Sequence, residues 1–434
     1  MTDPASLSAK TIAVIGAGPA GLMAAETLAA AGVKVVVFEK TPSAGRKLLM
    51  AGRGGLNLTH VEPFDRFVRR YGEATPWVTP MLEAFPPQAL AAWAEGLGQP
   101  TFVGSSGRVF PKAMKASPLL RAWLARLAEA GVELRTRRDW RGWDADGALM
   151  FAAVDGTIER FAADATVLAL GGASWPRLGS DGGWTSLLAE RGVATVPFRP
   201  ANSGFDVAWS PLFADRFAGE PIKAAGFHFA GRTVRGEAVV ARYGLEGGAI
   251  YALSAGLRDA VAAKGRAALK IDLRPDLPLA EIMARLGRAK PGQSLANTLR
   301  KTLHLSSLES HLLREGGDPP TSLEGLAALI KTVPVTITGV QGLARAISSA
   351  GGIALGEVDE GLMLRAAPGV FAAGEMLDWE APTGGYLLQA CFATGATAAE
   401  GVMRWLGAPR SLAPSPATRS APGSPGRRTS GRPA

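Results

Sequence analysis

The sequence predicts an α/β fold in which a nucleotide-binding domain with a parallel sheet is interrupted by an inserted β-rich domain. Three observations lead to this prediction. Residues 11–40 form a β-α-β pattern with a glycine-rich turn between the first strand and the helix. A buried strand at 166–170 runs directly into two glycines. A second strand, at 368–375, also meets a glycine, and a long segment of different sequence pattern separates the two strands. In open α/β sheets ligands lie at such carboxyl ends of strands.

The first unit begins with a β-branched strand at 11–15, and the motif GAGPAG follows at 16–21. Gly16 makes the tight turn from strand to helix, Gly18 lets the backbone approach a pyrophosphate, and Gly21 lets helix and strand pack closely. An alanine-rich helix continues to residue 31, and Gly32 lies where a helix C-cap glycine belongs. The pyrophosphate would lie at the helix N-terminus, which favours negative charge.

The second strand of this unit, 33–38, ends in Glu39, 23 positions after Gly16. A carboxylate there accepts hydrogen bonds from a ribose hydroxyl and repels a 2′-phosphate, so NADP is disfavoured in this pocket. A GxGxxG motif alone is weak evidence. Here it follows a strand, opens a helix and is followed by an acid at the right distance, so a Rossmann-like dinucleotide site is favoured over a glycine-rich loop that binds nothing.

Composition limits the remaining function classes. The chain has 434 residues, of which 47% are hydrophobic and 20% charged, as expected for a soluble globular protein of two or three domains. The formal net charge is +9, but five arginines and no acid lie in the last 25 residues, so a nucleic-acid partner is disfavoured. No apolar stretch is long enough for a membrane span, and no signal peptide is predicted, because the first apolar segment begins with a strand and contains the glycine-rich turn. We therefore predict a cytoplasmic protein.

Cysteine and histidine usage excludes further chemistry. Cys391 is the only cysteine, which excludes disulfides, thiolate metal clusters and a dithiol redox motif, and we interpret it as a small buried hydrophobe. The four histidines are too scattered for ligands, so no metal site is predicted.

Changes in composition and in hydrophobic periodicity along the chain suggest the domain boundaries. Strand-like runs occur at 226–229, 238–240 and 267–273, and a leucine-rich helical stretch follows at 279–329. The tail is rich in Pro, Ser, Gly and Arg and is predicted to be disordered. We predict a dinucleotide-binding domain at 1–193 and 335–408, an inserted domain at 194–334 with a helical subdomain at about 276–332, and the tail at 409–434.

Two further segments indicate how a ligand would be held. The glycine-rich, basic segment 45–59 suits phosphate or flavin contacts, although a solvated surface loop remains an alternative. A helix beginning at Tyr386, directly after Gly384 and Gly385, would direct its positive N-terminus at a ligand beside these glycines. For a flavin, a positive field near N1 and the C2 carbonyl stabilises the reduced anionic ring.

The order of several motifs resembles that of the BaiN/YhiN-like bacterial flavoproteins over roughly residues 10 to 406. The motifs are GRKLLM at 45–50, GRVFP at 107–111, LGGASWP at 170–176, YGL at 243–245, SAGG at 349–352 and GEMLDWEAPTGGY at 374–386. The resemblance implies a discontinuous FAD-binding domain of the glutathione-reductase-like type with an inserted β-rich domain. It would place FAD on Gly16, Gly18, Pro19, Ala20, Gly21, Glu39, Lys40, Arg46, Lys47, Trp140, Gly171, Gly374, Glu375, Gly384, Gly385 and Leu388.

Two positions depart from the family pattern. Trp140 stands where a small aliphatic residue is usual, and Leu56 stands where the family commonly has a cysteine before Asn57. Thiol chemistry at that cysteine is therefore excluded here, and the chain is interpreted as a member of a divergent branch.

These observations predict an FAD oxidoreductase that transfers hydride or an electron pair between flavin and a small-molecule substrate. Only one GxGxxG motif occurs, so NAD(P)H, if it is the donor, visits the flavin transiently. Arg53, Asn57 and Tyr386 are candidate catalytic residues by inferred proximity to the flavin, and a structural role is an equal alternative for each. A flavin-dependent RNA-modifying protein and a non-catalytic flavin-binding protein are the alternative functions. No oligomeric state is predicted.

Overall fold

The computed structural model describes residues 9–290 and 292–407, except for the side chain of Arg53. The predicted disordered tail, with its five arginines, lies outside the described residues. The strands are β1 (Thr11–Ile15), β2 (Lys34–Glu39), β3 (Thr59–His60), β4 (Thr101–Val103), β5 (Arg108–Pro111), β6 (Glu133–Thr136), β7 (Asp139–Trp143), β8 (Leu149–Ala152), β9 (Ile158–Phe161), β10 (Ala165–Leu168), β11 (Thr195–Ala201), β12 (Phe205–Val207), β13 (Pro221–Phe229), β14 (Arg232–Ala241), β15 (Gly244–Glu246), β16 (Ala267–Asp272), β17 (Val333–Val340), β18 (Ser348–Ile353) and β19 (Val370–Ala372).

The first and the last of the described helices pack on the main sheet, the antiparallel sheet β7-β8-β9 contacts β2, and four helices form a group of their own late in the insertion. The helices are α1 (Pro19–Ala30), α2 (Arg46–Ala51), α3 (Phe64–Val68), α4 (Thr75–Ala84), α5 (Pro87–Gly96), α6 (Ala116–Glu129), α7 (Trp184–Ala189), α8 (Pro211–Phe217), α9 (Gly248–Ala252), α10 (Ser254–Lys264), α11 (Leu279–Leu286), α12 (Leu295–Leu303), α13 (Ser307–Leu312), α14 (Leu323–Lys331) and α15 (Tyr386–Trp405). Short 3₁₀ turns include Gly52–Gly54 and Gly374–Met376.

The main sheet has five parallel strands in the order β19-β10-β1-β2-β6. Four of its strands precede the insertion, whereas β19 follows it. The central strands are apolar and almost wholly buried, which is typical of a parallel sheet covered on both faces. The predicted discontinuous sheet is therefore present.

Helix α1 begins where its sequence predicts. Gly18 is the N-cap with extended backbone, and Pro19 occupies the first turn, where its missing N–H costs nothing. Gly32 has a φ of +82° just beyond the last turn, which explains the need for glycine there. Helix α15 packs along α1 so closely that a Cβ on Gly395 would overlap the Ala20 carbonyl.

The inserted segment forms a closed antiparallel barrel in the order β12-β15-β14-β13-β16-β17. Its interior is filled by buried apolar side chains such as Ile222, Phe227 and Leu269. Helices α11 to α14 lie against this barrel, with α14 packed on β16 and β17. The antiparallel pair β11–β18 leads the chain into the barrel and out again, so Ala201 and Ser348 lie side by side at the barrel end of the pair.

The fold class predicted from the sequence is confirmed, while individual elements differ. The runs at 226–229 and 238–240 are parts of the longer hairpin β13–β14, and the leucine-rich stretch is four separate helices. The predicted end of the insertion at 334 falls inside β17, which belongs to the barrel. Pro334 is exposed on this strand, which continues to Val340, so we propose a boundary after residue 340. None of the described helices has the length and apolar character needed to cross a membrane.

Candidate cofactor-binding and active site

A cavity of about 850 Å³ lies at the carboxyl ends of four parallel strands. Ile15 ends β1, Glu39 ends β2, Ala169 follows β10 and Ala373 follows β19, and all four line the cavity. Because β10 and β1 separate β19 from β2, the cavity crosses roughly 14 Å of sheet. We call its two ends the β2 end and the β19 end. Its volume is within the range of about 300–1,000 Å³ found for ligand pockets.

Two of the three fingerprint glycines, Gly16 and Gly18, line the middle of this cavity, after β1, and the three differ in their surroundings. A Cβ on Gly16, which has a φ of +107°, would overlap the Ala169 carbonyl, and a Cβ on Gly21 would overlap the Gly16 carbonyl. Gly18 lines the cavity, and no atom lies within 4 Å of the position that its Cβ would take. Gly16 and Gly21 therefore serve close packing, while Gly18 leaves room for a ligand. Gly21 itself is not in the cavity wall.

Glu39 and Lys40 form part of the β2 end. One oxygen of the Glu39 carboxylate accepts a hydrogen bond from the Ala17 amide at 3.0 Å, and the other accepts one from the Thr41 amide at 2.9 Å. The carboxylate is thereby fixed, and its remaining lone pairs can accept ligand hydroxyls. Lys40 is paired with Asp181 at 2.7 Å on the same wall.

Trp140 completes the β2 end. It lies on β7 of the antiparallel sheet β7-β8-β9 and is only 6% exposed, with its ring edge-on to Trp143. Its indole N–H is buried and has no hydrogen-bond partner among the described residues, although the residue lines the cavity. A buried N–H group without an acceptor lowers the stability of the folded protein, unless a ligand accepts its hydrogen bond.

Two adjacent cations begin helix α2, and they have different partners. The Lys47 ammonium lies 2.7 Å from the Glu375 carboxylate and donates to the Ser174 hydroxyl at 2.8 Å. Arg46 lines the cavity, is half-buried and forms no ion pair or hydrogen bond with a described residue. Arg46 is therefore free to pair with an anionic ligand.

The β19 end contains Gly374, Glu375, Gly384, Gly385 and Leu388, and α15 begins there. Gly384 and Gly385 have φ values of +132° and +96°, which only glycine adopts without strain. Gly171, after β10, also lines the cavity, and its carbonyl accepts a hydrogen bond from Trp184.

Asn57 extends this end of the wall. Its amide nitrogen donates to the carbonyls of Thr59 at 2.8 Å and Val109 at 3.2 Å. This arrangement orients the side chain and leaves its oxygen buried without a partner, in a residue that lines the cavity. Asn57 can therefore accept a hydrogen bond from a ligand N–H group, but its N–H groups are already used by protein carbonyls.

The other two catalytic candidates are not placed in the cavity wall. The side chain of Arg53 lies outside the described residues. Tyr386 is buried and does not line the cavity; its hydroxyl donates to Glu62 at 2.6 Å, and Arg70 pairs with the same carboxylate. Burial, together with the hydrogen bond to Glu62, raises the pKa of Tyr386. The expected proximity of Tyr386 to the ligand was based on chain position, but the side chain points into this separate network.

Cys391 packs as a partly buried side chain against the hydrophobic core, in agreement with its interpretation as a small hydrophobe, and it also lines the cavity. Burial raises the pKa of its thiol to about 12, so the thiol is protonated at neutral pH. Within the described ranges, no three His, Cys, Asp or Glu side chains form a group that could hold a metal ion.

The sequence did not single out several other wall residues. Trp175 and Trp379 lie inside motifs that resemble the family's, which is the signal that could have identified them. Ile347 and Ser348 lie just before the motif at 349–352, outside any such motif. The wall residues that were missed include Trp175, Trp184, Ile347, Ser348, Trp379 and Cys391.

These features fit a dinucleotide such as FAD. The open side of Gly18 and the unpaired Arg46 suit a diphosphate, and the fixed Glu39 suits a ribose. The unpartnered Trp140 donor and Asn57 acceptor lie at the β2 and β19 ends, where the two halves of a dinucleotide would lie.

The chain is similar to known proteins over most of its length. Residues 10–401 match the family model described as HI0933-like protein Rossmann domain. The chain is 28% identical over 404 residues to the 3-dehydro-bile acid delta(4,6)-reductase of Clostridium scindens, covering 88% of this chain and 97% of that protein. It is 26% identical over 397 residues to the ribosomal RNA dihydrouridine synthase of Escherichia coli, covering 87% and 94%.

Among solved structures, the chain is similar to the 3-ketosteroid-delta4-(5alpha)-dehydrogenase of Rhodococcus jostii in complex with 4-androstene-3,17-dione. The TM-score is 0.48 and the sequence identity is 15%, with 92% of this chain and 97% of that chain covered.

Proposed function

The chain belongs to the HI0933-like family of FAD-binding flavoproteins, and we propose that it reduces a carbon–carbon double bond conjugated to a carbonyl group. At the coarser level it is an FAD-dependent oxidoreductase. The observation that best supports the proposal is the cavity that crosses the sheet from Glu39 to Gly385, since it offers dinucleotide contacts at one end and a second group of polar wall residues at the other.

The substrate class comes from chemistry that two relatives have in common. A 3-dehydro bile acid with delta(4,6) double bonds has those bonds conjugated to a ring ketone, and the uracil double bond reduced in dihydrouridine is conjugated to a ring carbonyl. The polarity of such a conjugated bond favours hydride addition at the carbon farther from the carbonyl and proton addition at the nearer carbon. We propose the same reaction class for this chain.

The chain's own residues would bind the cofactor and orient the substrate. When bound and reduced, FAD supplies the hydride. The open side of Gly18 and the Arg46 guanidinium hold the diphosphate, and Glu39 accepts from the ribose. At the β19 end, the dipole of the 20-residue helix α15 is equivalent to a positive charge of about half an elementary charge at its N-terminus. The described cavity wall contains neither His nor Tyr, and the Ser348 hydroxyl donates to the Ala201 carbonyl at 3.4 Å, so the Thr383 hydroxyl is a neutral donor at this end that can bind a substrate carbonyl.

NAD(P)H is the proposed electron donor. The barrel occupies the insertion, and the main sheet contains the single fingerprint, so a nicotinamide would bind transiently at the β19 end. The cytoplasmic location stays a prediction.

Anaerobic spectroscopy tests this proposal. The purified protein should show flavin absorbance, which NADH or NADPH should bleach. A conjugated steroid enone should then restore the absorbance, whereas the matching saturated ketone should not. Bleaching without reoxidation by any enone would contradict the substrate class, and a flavin that no nicotinamide reduces would favour the non-catalytic alternative.

An RNA substrate is the second candidate, and the charge distribution favours it. Residues 194–334 contain 18 Lys and Arg against 13 Asp and Glu, whereas the other residues of the 9–407 range contain 24 of each. Exposed cations of the insertion that form no ion pair with a described residue include Lys264, Arg266, Lys270 and Lys301. This surface charge suits a phosphate backbone.

RNA binding distinguishes the two candidates. A ribosomal RNA fragment should bind with an affinity that falls steeply with salt, and loss of the gene should lower dihydrouridine in that RNA. Absence of RNA binding even at low salt would exclude this candidate and leave the small-molecule proposal intact.

A further inference from the structure

The loop at 378–385 forms part of the β19 end of the cavity. It follows the 3₁₀ turn Gly374–Met376 and leads directly into α15. Its last three residues, Thr383, Gly384 and Gly385, line the cavity. The position of this loop therefore determines where the N-terminus of α15 lies relative to a bound ring.

Asn202 contacts this loop from the start of the inserted segment. It is 2% exposed, and its amide nitrogen donates to the Ala381 carbonyl at 2.8 Å and to the Ser348 hydroxyl at 2.7 Å. Its side-chain oxygen accepts from the Thr383 amide at 3.0 Å. One buried side chain thus joins the loop to Ser348, a second part of the cavity wall.

Arg258 contacts the same loop from helix α10 of the insertion. Its guanidinium, only 5% exposed, donates two hydrogen bonds to the Glu380 carboxylate, at 2.8 and 2.9 Å. It also donates to the Pro200 carbonyl at 3.2 Å, two residues before Asn202. A paired, bidentate contact of this kind fixes both distance and orientation.

We propose that Asn202 and Arg258 are positioning residues through which the inserted domain sets the electrostatic environment of the bound flavin. Neither side chain lines the cavity, so both act through the loop at 378–385. The inference rests on the proposed FAD site. A helix N-terminus favours the anionic reduced ring, and its effect falls off within one turn of the helix. Release of the loop therefore weakens the field at the ring without removing any residue from the cavity wall.

The decisive measurement is the flavin reduction equilibrium, obtained by anaerobic equilibration with a reference dye. Asn202 has a φ of +51°, so Asn202→Gly removes the side-chain contacts without backbone strain. We expect Asn202→Gly and Arg258→Met to retain FAD but to lower the ratio of reduced to oxidised flavin about tenfold at fixed potential, which corresponds to about 1.4 kcal/mol. Asn202→Asp should not recover the difference, because its second carboxylate oxygen would face the Ala381 carbonyl and its negative charge would oppose the anionic reduced ring.

Arg274→Met is the matched control. Arg274 forms a similar half-buried bidentate pair with Glu309 inside the insertion, and none of its contacts reaches the loop. It should lower thermal stability and leave the flavin equilibrium unchanged.

Removing one partner of a buried ion pair can prevent folding, so the double variant Arg258→Met with Glu380→Met provides the same measurement; Asp259, which also pairs with Arg258, keeps its ion pair with Arg199. If all loop variants lower only the melting temperature and keep the wild-type equilibrium, the proposal is overturned. A wild-type protein that binds no flavin would instead overturn the proposed function on which it rests.

Discussion

The two ends of the cavity are constructed differently. At the β2 end, Ala17, Glu39 and Thr41 form one hydrogen-bonded group from a short stretch of chain. At the β19 end, Asn57, Ser348 and Gly385 come from three distant segments, and the loop beside them is held by side chains of the insertion. Recognition of a dinucleotide is therefore local, whereas the end where a substrate would meet the flavin depends on contacts between the two halves of the fold. Substitutions at the two ends should accordingly affect different properties.

The largest effect is expected at the middle of the cavity. Gly18→Asp should give a folded but colourless protein, because the space beside Gly18 accepts the side chain but the carboxylate takes the place of the diphosphate. The absorbance spectrum and melting temperature of the purified variant provide the measurement. Gly342→Asp is the control, since it also lies in open space but outside the cavity. A yellow Gly18→Asp protein would contradict the proposed diphosphate position.

A smaller effect is expected at the β2 end. Glu39→Ala removes the acceptor for two backbone amides and for the ribose, and the loss of charged hydrogen bonds at roughly 1.5–3 kcal/mol predicts FAD binding about 10- to 100-fold weaker. Titration of the apoprotein with FAD measures this change. Once loaded, the variant should keep the wild-type flavin reduction equilibrium. A changed equilibrium would contradict the separation of the two ends.

Trp140→Phe tests a single hydrogen bond at the same end. If the unpartnered indole N–H donates to the cofactor, its loss should weaken FAD binding about fivefold, corresponding to about 1 kcal/mol. Trp143→Phe is the control, because Trp143 contacts Trp140 but does not line the cavity. Equal affinity for wild type and Trp140→Phe would show that the N–H does not contact FAD.

The smallest effect is expected at Cys391. Because burial raises the pKa of its thiol to about 12, the thiolate is scarce at neutral pH, and alkylation of the folded holoprotein should be slow from pH 7 to pH 9 and accelerate only as the pH approaches 12. Mass spectrometry after iodoacetamide treatment measures the rate, with the protein unfolded in guanidinium as the reference. Fast alkylation at pH 7 would contradict the protonated thiol. Cys391→Ser should retain FAD.

The β2 end could be predicted from the sequence because its interactions are short in range. The spacing of Gly16, Gly18, Gly21 and Glu39 is set by one turn and one helix, so it can be interpreted without the rest of the chain. Trp140 could be named only through the family resemblance. Its unpartnered N–H depends on how the β7-β8-β9 sheet packs beside β2.

The amino-acid sequence by itself determined the fold class, the discontinuous parallel sheet and the dinucleotide fingerprint, because hydrophobic periodicity and glycine positions record local backbone geometry. Only the tertiary structure decided that Tyr386 pairs with Glu62 outside the cavity, that Cys391 lines it, and that Asn202 and Arg258 hold the loop before α15. These contacts join residues between 122 and 324 positions apart. Side-chain direction at such separations depends on the packing of whole units, which no local pattern specifies.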